Sequence, residues 1–96
     1  MLEKYIEQKF VMGVKALGGR AYKFVSPGNS GMPDRLCVLP VNRIIFVELK
    51  QPSGRLSKLQ KIQQDKLKSL GCDVRNLWSA EDVENFLREA GNGHAV

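Results

Sequence analysis

The stretch Asp34-Arg35-Leu36-Cys37-Val38-Leu39-Pro40-Val41-Asn42-Arg43-Ile44-Ile45-Phe46-Val47-Glu48-Leu49-Lys50 decides the reading of this chain. It holds two β-rich runs, 34–39 and 44–49, separated by Pro40-Val41-Asn42-Arg43, and so reads as a β-hairpin. Folding at residues 40–42 brings the start of the first strand beside the end of the second, where Asp34 and Glu48 meet at the open end. Their side chains share a face if position 34 pairs with position 48, and a slip of one residue separates them. Glu48 and Lys50 are two apart, so along a regular strand they point the same way while Leu49 points into the opposite layer. Both runs are almost continuously apolar, the pattern of strands covered on both faces by helices.

Upstream, Leu2, Ile6, Phe10, Val14 and Leu17 recur at spacings of four and three, which predicts an amphipathic helix ending at Gly18-Gly19. Ala21 to Val25 reads as a short strand, and Ser26 to Pro33 as a loop long enough to carry function. Downstream, Ser57-Lys58-Leu59-Gln60 has the form of a capping box and opens a helix to Leu70, stopped by Gly71. Asp73 to Trp78 is a further strand, and Ser79 caps a last helix to about Ala90. The order αβββαβα predicts an α/β fold with a mixed central sheet flanked by helices. One domain over residues 1–90, followed by a flexible tail at 91–96 that holds the single histidine, His94, is the expected organisation.

Composition narrows the function classes. The chain has 96 residues, 43% hydrophobic and 26% charged, enough for one modest core. No apolar stretch is long enough to span a membrane, and Met1-Leu2-Glu3-Lys4 lacks the layout of a secretion signal, so a cytoplasmic protein is expected. Cys37 and Cys72 read as buried reduced thiols rather than as a disulfide or zinc site. The net charge of +5 is uneven: residues 1–70 carry 13 Lys/Arg against 5 Asp/Glu, and residues 71–96 carry 2 against 5. A basic surface attracts a polyanion such as nucleic acid, although a solvated basic face is common. Four of those five acids are placed pointedly: Asp34 and Glu48 at strand ends, Glu3 and Glu7 on one face of the first helix.

Two converging carboxylates suit Mg²⁺ or Mn²⁺, hard ions that prefer oxygen ligands. A lysine beside them can orient a metal-bound water or offset charge developing on phosphorus. Asp34, Glu48 and Lys50 therefore form a candidate centre for phosphodiester hydrolysis. An isolated Glu-x-Lys tripeptide is weak evidence, because such tripeptides are abundant. Here it follows Gly31-Met32-Pro33-Asp34-Arg35 by one strand, at the end of apolar strands with a helix on either side, and the combination is far more specific.

The segments Glu3-Lys4-Tyr5-Ile6-Glu7, Gly18-Gly19, Lys23-Phe24, Gly31-Met32-Pro33-Asp34-Arg35, Phe46-Val47-Glu48-Leu49-Lys50 and Gly54-Arg55-Leu56-Ser57-Lys58-Leu59-Gln60 resemble the VRR-NUC family of virus-type replication-repair nucleases. The similarity runs from about residue 2 to 88 and looks like a stand-alone, phage-type member acting in the host cytoplasm. The resemblance implies the restriction-endonuclease-like core of the PD-(D/E)xK superfamily. It also implies Asp34, Glu48 and the Leu49 carbonyl as metal ligands, Lys50 as the catalytic lysine, an acid on the first helix and a glutamine after the Glu-x-Lys strand. The glutamine matches Gln60, which reads equally well as the capping partner of Ser57. The acid is Glu3 or Glu7, one turn apart, with Glu7 favoured as nearer the middle of the helix.

Lys23, Arg35, Arg55, Lys58 and Lys61 fall near the expected catalytic edge and are candidate phosphate contacts, which position a backbone without reading sequence. Tyr22 and Trp78 could stack on bases, though single aromatics at strand positions more often belong to a core. The expected activity is Mg²⁺- or Mn²⁺-dependent endonucleolytic cleavage of DNA, with branched DNA such as a Holliday junction as the favoured substrate, because so short a chain has no room for a sequence-reading domain. No small-molecule cofactor is expected. A four-way junction needs two matched incisions, so one site per chain implies a symmetric homodimer. Met12, Met32 and Leu36 are candidate contributors to its interface. A restriction-type nuclease that reads sequence or needs a partner, or a non-catalytic nucleic-acid-binding module, are the competing readings.

Overall fold

The computed structural model describes residues 2–92, apart from the side chain of Leu2, and contains seven elements. They are α1 (Leu2–Ala16), β1 (Arg20–Lys23), β2 (Arg35–Leu39), β3 (Arg43–Leu49), α2 (Lys58–Ser69), β4 (Asp73–Leu77) and α3 (Ala80–Asn92). The expected order αβββαβα is the observed one. Several boundaries shift by a single residue, and two differ by more: β1 stops at Lys23, leaving Val25 exposed, and α3 continues to Asn92, into residues expected to belong to a tail. His94 and the rest of 93–96 lie outside the described residues.

The sheet runs β1-β2-β3-β4, antiparallel between the first three strands and parallel between β3 and β4. A hairpin can join antiparallel neighbours, whereas parallel neighbours need a crossover, here supplied by α2. The β2–β3 register pairs Arg35 with Val47 and Leu39 with Arg43. Continuing that ladder by one step sets Asp34 opposite Glu48. Lys50 N–H extends the β3–β4 ladder by donating to the Leu77 carbonyl at 2.9 Å.

One face of the sheet is fully packed. Ile6, Phe10 and Val14 of α1 and Val83, Phe86 and Ala90 of α3 bury against Cys37, Leu39, Ile45, Val47 and Leu49, with the Phe10 and Phe86 rings 5.8 Å apart. The helical stripe read from the sequence is thus the core face of α1. Gly18, at φ +88°, ends that helix, with Gly18 N–H bonded to Lys15 O and Gly19 N–H to Val14 O in a Schellman arrangement.

The other face departs from the expectation of strands covered on both sides. It carries Tyr22, Leu36, Val38, Ile44 and Phe46, and α2 lies over its β4 side and reaches the Glu48 end of β3, while Tyr22 and Ile44 remain 55% and 52% exposed. Apolar content alone did not report this, because one crossover helix is narrower than a four-stranded sheet. Of the two cysteines, Cys37 is buried and free as expected, while Cys72 is free but only partly buried.

The hairpin turn holds Val41 at φ +62° and Asn42 at φ +61°. Asparagine tolerates this left-handed conformation, but a β-branched valine meets its carbonyl neighbours, at a cost of about 1–2 kcal/mol. Val41 is 80% exposed, so little packing offsets that cost. Val41→Asn is expected to raise the melting temperature by roughly 4–8 °C, as measured by calorimetry or circular dichroism. An unchanged or lower value would mean that the turn is not strained at this residue.

Candidate active site

The open end of the hairpin gathers the residues singled out above, each for a local reason. Asp34 stands immediately before β2, where Leu49 N–H donates to its Oδ1 at 3.2 Å, fixing the carboxylate across the strand end. Glu48 sits on β3 on the face away from α1, and its carboxylate is almost wholly buried, at 7% exposure. Its Oε2 accepts from Gln60 Nε2 at 3.0 Å and lies 3.6 Å from Lys50 Nζ, as the two-residue spacing requires. Its Oε1 is buried and has no hydrogen-bond partner. A buried, unsatisfied carboxylate oxygen is costly and calls for an explanation.

Gln60 closes the capping box and also reaches Glu48. Its Oε1 accepts from Ser57 N–H at 2.8 Å while Ser57 Oγ accepts from Gln60 N–H at 3.1 Å, closing the capping box. The amide nitrogen is left free to hold Glu48. One side chain therefore ties the start of α2 to the end of β3. The loop before β2 is drawn to the same place: Gly31 has φ +94°, and a Cβ there would sit 2.7 Å from the Leu59 carbonyl carbon and 3.0 Å from Gln60 N. Only glycine fits so close to the helix backbone. Buried Gln64 and Asn76 exchange two amide hydrogen bonds, of 2.7 and 2.9 Å, and lock α2 onto β4.

On the α1 side, Glu3, Lys4, Glu7, Asp34 and Leu49 line a cleft of about 350 Å³. Glu7 Oε2 accepts from Arg35 Nη2 at 2.6 Å, and Arg35 Nη1 also donates to the Ala21 carbonyl at 3.2 Å. Arg35 is 6% exposed. It is therefore a buried clamp between α1, β1 and β2, and the expectation that it contacts phosphate is corrected. The signal was present in the alternation: position 35 shares a face with Cys37 and Leu39, the core face, and a charge there must find a partner inside. Glu3, also on the cleft, is exposed. The other cations named from the sequence, Lys23, Arg55, Lys58 and Lys61, are all exposed.

The family model of the VRR-NUC domain matches residues 13–81, a span that contains Asp34, Glu48, Lys50 and Gln60. This chain belongs to the VRR-NUC family. A relative named Putative nuclease p44, from Acyrthosiphon pisum secondary endosymbiont phage 1, is 44% identical over 85 residues, covering 88% of this chain and 90% of the relative. A solved structure described as a VRR-NUC domain superposes with a TM-score of 0.86 at 26% identity, covering 100% of this chain and 99% of the other. The resemblance read from the motifs and the αβββαβα architecture are both borne out.

In this VRR-NUC chain the carboxylates are electrostatically unequal. Burial raises the Glu48 pKa, the charge of Asp34 raises it further, and Lys50 only partly opposes them. Dehydration likewise raises Asp34, against the bond from Leu49 N–H. Asp34 is nonetheless exposed by area. We read this as a carboxyl whose rim meets solvent while the surrounding strand ends strip part of its hydration. Glu7 is shifted the other way, its carboxyl held below the ordinary range first by its hydrogen bond to Arg35. The pair nearest Lys50 thus resists holding two negative charges, while the acid on α1 is already compensated.

A raised carboxyl pKa means that the folded chain keeps its proton to higher pH than the unfolded chain does. The ionised Glu48 therefore costs stability above its folded pKa, and the cost disappears as pH falls below the ordinary carboxylate value. Glu48→Gln keeps the shape and an acceptor for Gln60 but removes the charge. In ion-free buffer at pH 7 the variant is expected to melt a few degrees above the parent chain, with the gain fading as pH falls through the raised Glu48 pKa and gone below the ordinary carboxylate value. Thermal melts across that range check it, and equal melting at pH 7 would show that the buried charge carries no penalty.

Proposed function

We propose that this chain is a divalent-metal-dependent endonuclease that hydrolyses phosphodiester bonds in DNA, with branched DNA such as a Holliday junction as substrate. The observation that carries the reading is the Glu48 carboxylate: buried, beside Asp34, gripped on one oxygen by Gln60 and Lys50, and without a partner on the other. Such an atom suits an oxygen-seeking cation. Among the described residues no group of three or more His, Cys, Asp or Glu side chains stands close enough to enclose an ion. The donor set is instead two carboxylates, Asp34 and Glu48, with the Leu49 carbonyl completing it. Mg²⁺ tolerates so open a set because it keeps several of its own waters, and Mn²⁺ suits the same donors.

When bound, the ion would polarise the scissile phosphate and lower the pKa of a coordinated water. The chain's own groups divide the remaining work. Asp34 is held in one rotamer by Leu49 N–H, and Glu48 is turned by Gln60 so that Oε1 faces outward from the grip. Lys50 brings a positive charge to the flank of Glu48, where it orients the attacking water or offsets charge on the phosphoryl oxygens. Glu7, compensated by Arg35, adds an acid at the α1 side of the cleft. Lys23, Arg55, Lys58 and Lys61 bind phosphates, which supply affinity without sequence preference and leave the shape of the DNA as the cue.

A non-catalytic binder gains nothing from two carboxylates among its phosphate contacts, since they repel the ligand. Resemblance to the phage relative favours a nuclease of the same kind, and no helix among the described residues is long and apolar enough to cross a membrane. Paired incision of a two-fold junction requires two copies of a chain with one site. The open sheet face, with Tyr22 and Ile44 exposed, offers apolar surface for that homodimer, whereas Met12, 71% exposed, belongs to α1 on the opposite side of the sheet.

The test is a cleavage panel of four-way junction, flap, nicked and plain duplex DNA with Mg²⁺, Mn²⁺ or chelator, alongside light scattering for the dimer. Asp34→Asn, Glu48→Gln and Lys50→Ala are each expected to lower cleavage by about 100-fold or more while leaving the fold intact. Full activity in chelator, or in Asp34→Asn with Mg²⁺, would falsify the metal assignment. A monomer making only uncoupled nicks removes the junction-resolving dimer and leaves the nuclease. Glu7→Gln is expected to impair cutting more than Glu3→Gln, and equal, negligible effects would remove the first helix from the site.

A further inference from the structure

Trp78 is the single tryptophan of the chain and stands directly after β4. Lys50 N–H donates to the carbonyl of the preceding residue, Leu77, at 2.9 Å, so Trp78 lies one strand across from Lys50 at the same end of the sheet. With Gly54, Arg55, Leu56 and Lys61 it lines a shallow, open hollow of about 380 Å³. The Gly54 loop rests on Lys50: a Cβ on Gly54 would lie 3.5 Å from Lys50 Cβ and Cδ. The hollow thus stands beside Lys50, at the same end of the sheet, and is lined by none of the carboxylates of the candidate active site.

Three features define what the hollow takes. The indole is immobilised, because Nε1–H donates to the Gly54 carbonyl and the Trp78 main-chain N–H to Asp82 Oδ2, both at 2.9 Å. A ring already fixed loses little entropy when a ligand stacks on it. It is only partly buried, and the aromatic pairs among the described residues, Phe10 with Phe86 and Phe24 with Phe46, do not involve it. The charged groups in the wall, Arg55 and Lys61, are both cations and both exposed. A flat π-face beside two exposed cations matches a flat ring attached to phosphates. Within a duplex both faces of a base are already stacked, so only an unpaired nucleotide can offer its ring.

We propose that this hollow is a subsite for one unpaired nucleobase of the DNA, stacked on Trp78 with its flanking phosphates on Arg55 and Lys61. The assignment rests on the nuclease reading and deepens it: the subsite holds the strand beside the scissile bond by a base that the duplex has released. It makes the enzyme selective for DNA in which a base next to the cut is unpaired, or is unstacked at the branch point of a junction.

Because Trp78 is the sole tryptophan, the unmodified protein reports on the site directly. In chelator and low salt, the protein is titrated with plain duplex and with the same duplex bearing a short single-stranded flap, while labelled DNA anisotropy reports total binding. The flap substrate is expected to quench Trp78 emission strongly and the plain duplex weakly. Trp78→Ala is expected to weaken flap binding about 10-fold and duplex binding less than about 2-fold, whereas Trp78→Phe, which keeps a stacking face, retains most of the preference. Equal quenching by both DNAs, or a parallel loss on both in Trp78→Ala, overturns the subsite. Cleavage of flap DNA without quenching overturns it while the nuclease reading stands. Quenching by flap DNA in a protein that cuts nothing in any divalent ion supports the subsite and removes the nuclease. No binding of flap DNA by anisotropy, in chelator or with Ca²⁺ in its place, overturns the subsite, and the nuclease reading is then judged by the cleavage panel alone.

Discussion

The pairing of β2 with β3, Arg35 opposite Val47, is the constraint on which the site depends. In that register position 34 falls opposite 48, and Arg35 is carried onto the face of α1. A shift of one residue would exchange the faces of the whole strand. Asp34 would leave Glu48, and Arg35 would lose Glu7 and the Ala21 carbonyl. The register is held by the core residues Cys37, Leu39, Ile45, Val47 and Leu49, which cannot turn outward without exposing the centre of the molecule. Packing on one face of the sheet thus sets the electrostatics at its end.

The same end concentrates negative charge in a place that resists it. Glu48 is buried with an unsatisfied oxygen and a neighbouring carboxylate, and the fold tolerates this because rigid elements surround it. Gln60 is fixed by its own capping box, α2 is fixed to β4 by the Gln64–Asn76 amide pair, and Gly31 lets the preceding loop lie against the α2 backbone. Each restraint removes a way for the carboxylate to relax toward solvent. Local instability of this kind is the usual companion of a site prepared for a charged ligand. The Arg35–Glu7 pair is its counterpart on α1, a buried cation matched by an acid so that the helix docks without a net buried charge.

The charge asymmetry of the chain takes on a spatial meaning in this fold. Arg55, Lys58 and Lys61 come from the segment that follows β3 and opens α2, and Lys23 comes from the end of β1, so part of the cation excess of the first 70 residues lies on segments at the same end of the sheet as the site. The acids of the last third are partly spent elsewhere: Asp73 and Glu89 pair with Arg75, which also lies over the Phe86 ring, and Glu84 pairs with Lys9.

The sequence by itself determined the elements, their order and the pair of acids with their lysine. Periodicity, capping residues and turn chemistry act within a few residues, and the Ser57–Gln60 box, the Ser79 cap and the Schellman glycine at position 18 are all found where those rules put them. The Glu48–Lys50 contact follows from the two-residue repeat of a strand. Only the tertiary structure decided that Glu7 and the Ala21 carbonyl are the partners of Arg35, that Gln60 caps its helix and holds Glu48 at once, and that one sheet face stays open. It alone brought Trp78 beside the Gly54 loop. These depend on which helix docks on which face and on contacts between residues 12 to 28 positions apart. Local preference carries no information about such partners, because they are chosen by the packing of the whole chain.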